Sequence, residues 1–226
     1  MRIYNLGSGS SGNCTYFKFD GYEFLVDVGF SYKEIKKRLA SIGVDILDIK
    51  TIFITHGHSD HNRALQTFKK RNKPISINPP HIGRAFSLNH SVPCKGFTFE
   101  VHEIEDEKIG YLTDTGYVPP FAVHALERCS ILIVESNHNE EILFTNKYAE
   151  DSRMPASIYD NIVSKKGHLS NRQAEELISF VRPKIVALAH LSAHNNNEQQ
   201  LKHSGHLILQ QNEVTKIIDT EEEESI

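Results

Sequence analysis

Short apolar or alternating runs, bounded by Gly and Asp, account for most of the hydrophobic pattern along this chain of 226 residues. Such runs are typical of β-strands. They predict strands at 2–6, 15–19, 23–28, 51–55, 74–77, 97–104, 108–113, 130–135 and 184–189. The runs at 51–55, 130–135 and 184–189 are almost continuously apolar, which predicts strands buried in a sheet.

Longer stretches with apolar residues at helical spacing interrupt the strands. Residues 31–42 place Ile35, Leu39 and Ile42 on one helical face, and Ser31 is a suitable N-cap. Further helices are predicted through Ala64 to Phe68 and over 170–181. The order βββαβαβ followed by βββαβ predicts an α/β fold of the αββα type, with two β-sheets packed face to face and helices on the outside. Since no linker or repeat divides the chain, we expect one domain over 1–220 and a disordered acidic tail over 221–226.

Composition narrows the class of protein. An apolar fraction of 39% and a charged fraction of 24% are those of an ordinary globular protein. No run approaches the ~18 apolar residues that span a membrane, and the N-terminus has no apolar leader segment. Cys14, Cys94 and Cys129 show no pairing pattern, which favours a reducing compartment. We therefore expect a cytoplasmic protein without a membrane partner.

The segment THGHSDH at 55–61 carries the strongest chemical signal. It places His56, His58, Asp60 and His61 directly after a predicted buried strand, so the four side chains leave one rigid strand end. Imidazole nitrogens and a carboxylate suit zinc and other first-row divalent ions. The backbone cannot wrap four ligands this close in sequence around one ion, so two ions can share them. The alternative is a histidine-rich surface loop, which this spacing disfavours.

Other chemistry-bearing residues also follow predicted strands. In isolation each has an ordinary structural alternative, such as a turn or a core histidine. They are Asp114 in TDTG, His190 after VALA, His102 in FEVH, Glu135 in ILIVE, and His168 in GHLSN just before a predicted helix. The loop at 7–13, GSGSSGN, either cradles phosphate with its N–H groups or forms a tight interstrand turn.

The net charge of −4 and the pI of about 6.3 are not those of a tight, sequence-independent nucleic-acid binder. Two features soften that conclusion. The acidic tail alone contributes −4, which leaves the folded part near neutral. A basic run, KKRNK at 69–73, lies shortly after the histidine motif. It is either a solvated helix end or a surface that meets phosphates.

Taken together, these motifs resemble the metallo-β-lactamase superfamily and, within it, the YycJ/WalJ-like group of small nucleases. The resemblance is carried by LGSGSSGN, LVDVG, THGHSDH, YLTDTGY, ESNH, GHLSN and LAHLSAHNN, in that order from Leu6 to Asn196. It implies the metallo-β-lactamase fold. The segments after TDTGY are similar to those of the phosphodiesterase branch that includes the tRNA 3′-processing enzymes.

The resemblance also implies roles for individual residues. His56, His58 and His102 would bind one metal ion, while Asp60, His61 and His190 would bind a second and Asp114 would bridge both. Asp27 would support the metal loop. Asp60 would also orient the nucleophile, and His168 with Glu135 would contact the scissile phosphate and protonate the leaving group. We further expect Ser10, Ser11, Asn13, Ser170 and Asn171 to contact substrate.

The implied activity is phosphodiester hydrolysis by a hydroxide bound to two divalent ions, Zn²⁺ or Mn²⁺, and first of all exonuclease activity on DNA. The chain lacks the exosite arm and clamp domain of larger relatives, so a polynucleotide would be held by the domain itself or by a homodimer. Two alternatives stay open: a phosphodiesterase for a small nucleotide such as a cyclic nucleotide, and a catalytically silent metal-binding scaffold.

Overall fold

The computed structural model describes residues 1–72, 75–104, 107–149 and 155–223. Its strands are β1 (Arg2–Gly7), β2 (Cys14–Phe19), β3 (Tyr22–Val26), β4 (Thr51–Phe53), β5 (Ser76–Ile77), β6 (Arg84–Leu88), β7 (Cys94–Val101), β8 (Glu107–Leu112), β9 (Ile131–Glu135), β10 (Ile185–Ala189), β11 (Leu207–Ile208) and β12 (Thr215–Asp219). Its α-helices are α1 (Tyr32–Ala40), α2 (Ser59–Asn62), α3 (Leu65–Arg71), α4 (Pro120–Leu126), α5 (Glu140–Tyr148), α6 (Ala156–Val163), α7 (Asn171–Val181), α8 (Glu198–Lys202) and α9 (Thr220–Glu223). A short 3₁₀ helix spans Ile46–Asp48.

The chain divides into two compact units. The first comprises Met1–Arg84, Phe99–Glu107 and Leu209–Ile226, and the second comprises Ala85–Thr98 and Lys108–Ile208. A six-stranded sheet in the order β12-β1-β2-β3-β4-β5 organises the first unit. It is mixed, because β1 is antiparallel to β12 and β2 while β4 is parallel to β3 and β5.

Two apolar groups form the core of the first unit. Ile35 and Leu39 of α1 are fully buried with strand residues such as Leu25 and Ile52. Ser31 begins this helix as predicted, since its side chain accepts a hydrogen bond from Glu34 N–H at 3.2 Å. The second group is aromatic: stacked, tilted or edge-to-face ring contacts with centroids 5.0–5.4 Å apart join Phe17, Phe24, Phe53 and Phe99.

A second six-stranded sheet, in the order β11-β10-β9-β8-β7-β6, belongs mainly to the second unit. Its central strands β8, β9 and β10 are parallel, and every residue of β9 is buried. The amphipathic helix α7 buries Ala174, Leu177, Ile178 and Val181 in the same apolar core as the inward-facing residues of these strands. Ser170 caps α7 in a full capping box with Gln173.

Most predicted elements are present, with bounds shifted by up to three residues, and the α/β class with two mixed sheets and helices is confirmed. Sequence patterns missed the short 3₁₀ helix and β6, β11, β12, α2, α4, α5, α6 and α8. The predicted strand at 74–77 is shorter, since β5 starts at Ser76 and Pro74 lies outside the described residues. None of the described helices has both the length and the apolar composition to cross a membrane. The three cysteines are buried thiols, and none of them forms a disulfide.

The C-terminal segment differs from expectation at its start. We expected disorder from residue 221 onward, yet α9 includes Glu221. The Glu221 carboxylate accepts a hydrogen bond from Lys18 at 2.7 Å, and the Glu221 N–H donates to the Asp219 carboxylate. Residues 224–226 lie outside the described part of the chain. The expectation of one domain over 1–220 stays a prediction.

Asp219 ties the last strand to the first. Its nearly buried carboxylate accepts hydrogen bonds from Tyr4 Oη at 2.6 Å and from Arg2 Nε at 2.9 Å. Burial raises the pKa of Asp219, but the hydrogen bonds from Tyr4 and Arg2 outweigh it and hold the pKa below its ordinary value. A lowered pKa means that the ionised carboxylate stabilises the folded chain above pH ~4, and that this contribution is lost as the pH falls through the folded-state pKa.

We predict that D219N lowers the free energy of unfolding at pH 7 by about 1.5–3 kcal/mol, the usual cost of losing a hydrogen bond to a charged group. The difference from the unsubstituted protein should shrink as the pH falls below ~4. Denaturant unfolding at several pH values measures it. A difference that is constant with pH would contradict the assignment of the effect to the carboxylate charge.

Candidate metal sites

In the first unit the histidine motif forms the turn that follows β4. His58 occupies the N-cap position of α2, so Asp60 and His61 lie in the first turn of that short helix. The backbone fixes the turn, because the carbonyl groups of Asp60 and His61 accept hydrogen bonds from Asn13 and Val28 N–H, each at 2.8 Å. At Gly29 a Cβ would lie 1.6 Å from the Asp60 carbonyl oxygen, so this approach requires glycine.

The three imidazoles of this turn converge. His56 Nε2 lies 2.9 Å from His58 Nδ1, and the ring centroids of His56 and His61 are 4.1 Å apart. His61 Nε2 lies 3.5 Å from a carboxylate oxygen of Asp60. His56 and His61 are buried, whereas His58 and Asp60 are half-buried. Convergent nitrogen and carboxylate atoms at a partly open surface fit a divalent transition-metal ion.

Asp27 orients the motif from behind. Its fully buried carboxylate accepts hydrogen bonds from Thr55 N–H at 2.9 Å and from Thr55 Oγ1, and it contacts His61 Nδ1 at 2.7 Å. Because Nδ1 of His61 faces this carboxylate, its Nε2 points away from Asp27 and lies 3.5 Å from an Asp60 carboxylate oxygen and 3.1 Å from Asn13 Nδ2. A carboxylate in this position fixes the tautomer and the ring orientation of a metal-binding histidine.

The second unit also brings polar side chains together, at the ends of its parallel strands. Asp114 follows β8, Glu135 ends β9, His190 follows β10, and His168 precedes the N-cap of α7. Each offers one ligand atom, and these atoms all lie within 4.8 Å of one another. Asp114 Oδ1 lies 3.5 Å from both His168 Nδ1 and His190 Nε2. The predicted residues Asp114, Glu135, His168 and His190 are therefore brought together.

Glu135 is the centre of this cluster. Its fully buried carboxylate contacts Nδ1 of His168 at 2.6 Å and Nδ1 of His190 at 3.1 Å, and it accepts N–H bonds from Thr115 and Leu169. Burial raises the pKa of Glu135, but the charge and hydrogen bond of His168 and the hydrogen bond of His190 hold it below its ordinary value. For His168 the effects have the opposite signs. Burial lowers the pKa of His168, but the charge of Glu135 and its hydrogen bond outweigh burial and raise that pKa above its ordinary value. Both shifts favour the charged forms, a protonated His168 beside an ionised Glu135.

Left-handed backbone places three of these side chains. Asp27, Asp114 and His190 have φ of 59°, 58° and 54° at the points where the chain leaves a strand. Asp and His are among the non-glycine residues found most often in this region, yet each such residue carries a cost of ~1–3 kcal/mol that the surrounding structure must offset. One such contact is visible: Asn137 Nδ2 donates to the His190 carbonyl at 2.9 Å.

His102 does not join either cluster. It lies just past β7 with an exposed side chain, and its N–H donates to the Asp20 carboxylate at 2.8 Å. The strand ends at Val101, three residues before its predicted end at 104, so His102 lies outside it. Sequence reasoning missed His90, which follows β6 in the second unit. Its half-buried ring lies 5.4 Å from the His168 ring, and its Nδ1 is 3.2 Å from the Gly167 carbonyl.

The predicted substrate contacts have structural roles or are simply exposed. Residues 9–12 form a tight turn, closed by Gly12 N–H donating to the Gly9 carbonyl, and Ser10 and Ser11 are exposed there. Asn13 is buried and bonds back to Ser8 and Gly9, and its Nδ2 lies 3.1 Å from His61 Nε2. The loop is a tight turn, and its contact with substrate stays a prediction. Ser170 caps α7 and donates to Glu140. Asn171 bonds to Ser136 and Asn196.

Comparison with known proteins shows what this chain is similar to. The model of the metallo-beta-lactamase superfamily matches residues 7–145. The exodeoxyribonuclease WalJ of Streptococcus pneumoniae is 31% identical over 225 residues, covering 84% of this chain and 81% of that protein. The exodeoxyribonuclease YycJ of Bacillus anthracis is 28% identical over 238 residues, covering 91% of this chain and 88% of that protein.

Solved structures share the fold at much lower identity. The short form of human tRNase Z has a TM-score of 0.64 at 16% identity, covering 97% of this chain and 100% of that one. A diphosphatase of the PhnP family has a TM-score of 0.64 at 14% identity, covering 95% and 97%. The metallo-beta-lactamase-fold protein YhfI of Bacillus subtilis has a TM-score of 0.66 at 15% identity, covering 95% and 98%. These likenesses confirm the predicted fold.

We predict that D27A weakens divalent-metal binding by ~10–100-fold, because removing a carboxylate behind a metal-binding histidine has effects of that size. Calorimetric titration of the metal-free protein with Zn²⁺ or Mn²⁺ measures it. D48A, which removes an exposed carboxylate, is the matched control.

Because Asp27 is fully buried, D27A will also reduce stability, so D27N is measured beside it. D27N keeps an acceptor oxygen for Thr55 but loses the charge, and it should give an intermediate affinity. Affinities equal to that of D48A in both variants would show that Asp27 has no part in metal binding.

Proposed function

Since this chain belongs to the metallo-beta-lactamase superfamily, we propose that it hydrolyses phosphodiester bonds with bound divalent metal ions, acting as a DNA exonuclease. Membership confirms the enzyme class predicted from the sequence, a metal-dependent hydrolase. The observation that carries the finer proposal is the His168–Glu135 pair beside Asp114.

The His168–Glu135 pair suits phosphodiester chemistry in particular. Hydrolysis of a lactam or thioester needs metal ions and an activated water, but no cationic group for a phosphate oxygen. Here the Glu135 carboxylate lies 2.6 Å from Nδ1 of the half-buried His168 ring, so in the protonated ring Nε2–H would be the donor for an oxygen of the substrate. A positioned imidazolium can stabilise charge on the phosphate and give its proton to the departing oxygen.

The ligand set that the family motifs imply stays a proposal, with one change. His56 and His58 would hold one ion, Asp60, His61 and His190 a second, and Asp114 would be shared. We propose His90 in place of His102 as the remaining histidine, because His102 is exposed on the surface whereas His90 lies beside the His168 ring. Zinc suits the histidine-rich set and manganese its carboxylates.

When bound, two such ions would supply an activated water and stabilise charge on the phosphate oxygens. Side chains of the protein would orient the water and transfer the protons. Asp60, half-buried and 3.5 Å from His61 Nε2, would orient the attacking water and accept its proton at a carboxylate oxygen. His168 would then donate a proton from Nε2 to the leaving oxygen, and Glu135 would keep its ring charged and oriented.

The choice of DNA as substrate rests on the relatives: two that match over most of their length are named exodeoxyribonucleases. A small phosphodiester such as a cyclic nucleotide is the second candidate, favoured by the overall net charge of −4. A silent metal-binding scaffold is disfavoured, because both clusters keep their metal-binding and acid–base side chains.

We predict that the Mn²⁺- or Zn²⁺-loaded protein hydrolyses bis-p-nitrophenyl phosphate and shortens end-labelled DNA. It should turn over a cyclic mononucleotide more slowly than DNA at equal concentration. D60N should lose activity on all three substrates. Metal-loaded protein that cleaves none of them would rule out the proposal, and a preference for the cyclic nucleotide would replace DNA with the small substrate.

We also predict that H168A lowers turnover on DNA by ~10²–10⁴-fold, the usual contribution of a positioned general acid. The loss should be smaller on bis-p-nitrophenyl phosphate, because p-nitrophenolate departs without protonation. Metal content should be unchanged. H124A, which removes an exposed histidine of α4, is the control and should behave as the unsubstituted protein. Loss of metal in H168A would instead make His168 a ligand.

A further inference from the structure

Charge is distributed very unevenly along the chain. Residues 1–84 contain 13 Lys and Arg against 7 Asp and Glu, a formal charge of +6, although the whole chain carries −4. Residues 85–226 therefore carry −10. Overall net charge conceals a basic segment, and the distribution of charge governs which partners a surface attracts.

Helix α1 directs part of this charge outward. Ile35 and Leu39 face the core, so Lys33, Lys36 and Lys37 lie on the opposite face at helical spacing, and all three are exposed. The two other charged residues of the helix neutralise each other, since Arg38 donates to Glu34 at 2.7 Å. The outer face of α1 is therefore cationic.

Helix α3 also combines a buried apolar residue with exposed cations, and these cations belong to the basic run at 69–73. Phe68 is fully buried, and Lys69, Lys70 and Arg71 are exposed at the C-terminal end of the helix. Among the residues that the structure describes, none of the five lysines on α1 and α3 forms an ion pair with an acid. Lys73, the last cation of the run, lies outside the described residues.

Tyr32 joins the two helices into one surface. At the start of α1 its ring packs on Phe68 of α3 with centroids 4.9 Å apart, and its hydroxyl donates to Asn72 at 2.9 Å. The guanidinium of Arg71 lies over the same ring, 5.1 Å from its centroid. The nearby acid Asp45 caps the 3₁₀ helix by accepting from Leu47 N–H. We call Lys33, Lys36, Lys37, Lys69, Lys70 and Arg71 the basic face.

The basic face begins at the histidine motif. Helix α2 contains Asp60 and His61, the exposed Arg63 follows it, and α3 starts two residues later. At 1.5 Å per residue the seven residues of α3 span ~10 Å. A strand whose phosphate lies at the motif could therefore reach the basic face within a few nucleotides.

Resting on the proposed function, we infer that the basic face binds the phosphate backbone of the DNA strand that the enzyme degrades. Exposed ammonium groups without acidic partners attract a polyanion through release of its counterions. A nucleic acid is favoured over an anionic membrane because the face leads from the candidate metal ligands, where a polynucleotide substrate must already lie.

Two paired variants test the inference, K33Q/K36Q and K69Q/K70Q, with K95Q/K202Q as the matched control. The control removes two exposed lysines from the second unit. The metal-loaded proteins bind a fluorescent phosphorothioate DNA strand, which resists cleavage, between ~50 and ~200 mM salt. Turnover of bis-p-nitrophenyl phosphate is measured in parallel.

Each basic-face pair should lower the slope of log affinity against log salt by about 1.4, since each single-strand phosphate contact contributes ~0.7. DNA should bind more weakly, while melting temperature and turnover of the small substrate stay unchanged. The control pair should keep the original slope. Equal loss in the control, or no loss in either basic-face pair, would overturn the inference.

Binding of the same variants to vesicles that contain an anionic phospholipid is measured as well. Binding to vesicles that depends on the basic face, without a matching dependence for DNA, would assign the face to a membrane and overturn the inference. The inference and the proposed function fail in distinguishable ways. Absence of bis-p-nitrophenyl phosphate hydrolysis would reject the catalytic proposal, whereas unchanged DNA affinity in active variants would reject only the basic face.

Discussion

Two buried carboxylates hold the chemistry of this molecule in place. Asp27 in the first unit and Glu135 in the second are both fully buried, and each contacts histidine Nδ1 atoms at 2.6–3.1 Å. An isolated carboxylate at such depth would be costly, so each is surrounded by donors, including backbone N–H groups. The hydrogen bonds that offset the cost of burying the two carboxylates therefore also orient the histidines.

The backbone conformations follow from that constraint. Asp27 and Asp114 leave their strands in the left-handed region, as does His190, which directs their side chains beyond the strand ends. Gly29 lets the Asp60 carbonyl approach where any Cβ would collide. The apolar strands and helices contribute rigidity, and the strand ends determine where the polar atoms point.

Sequence patterns predicted much of this because several signals were local. The apolar run before THGHSDH, the amphipathic spacing of α1 and α7, and the acids and histidines after strands all depend on neighbouring residues. His90 was missed because β6 is mostly exposed and lacks an apolar pattern. His102 was expected in the site but is exposed just past β7, and alternation within that strand does not show where it ends. The role of Asn13 depends on how its turn folds, and those of Ser170 and Asn171 depend on partners distant in the sequence. No local pattern reveals either.

Asymmetry of charge adds a second level of organisation. The basic face lies on α1 and α3, beside the motif whose histidines converge, and the acidic excess lies in the rest of the chain. A net charge near neutrality is therefore compatible with a polyanionic substrate, because what matters for attraction is the local field.

A crystal structure of the metal-loaded protein with a nucleoside monophosphate, with anomalous data at the metal edge, tests the central claim most directly. The account predicts two metal peaks, ligated by histidines and carboxylates of the two clusters, and a phosphate oxygen within hydrogen-bonding distance of His168 Nε2. Metal ions held elsewhere, or a phosphate bound away from both the ions and His168, would contradict it.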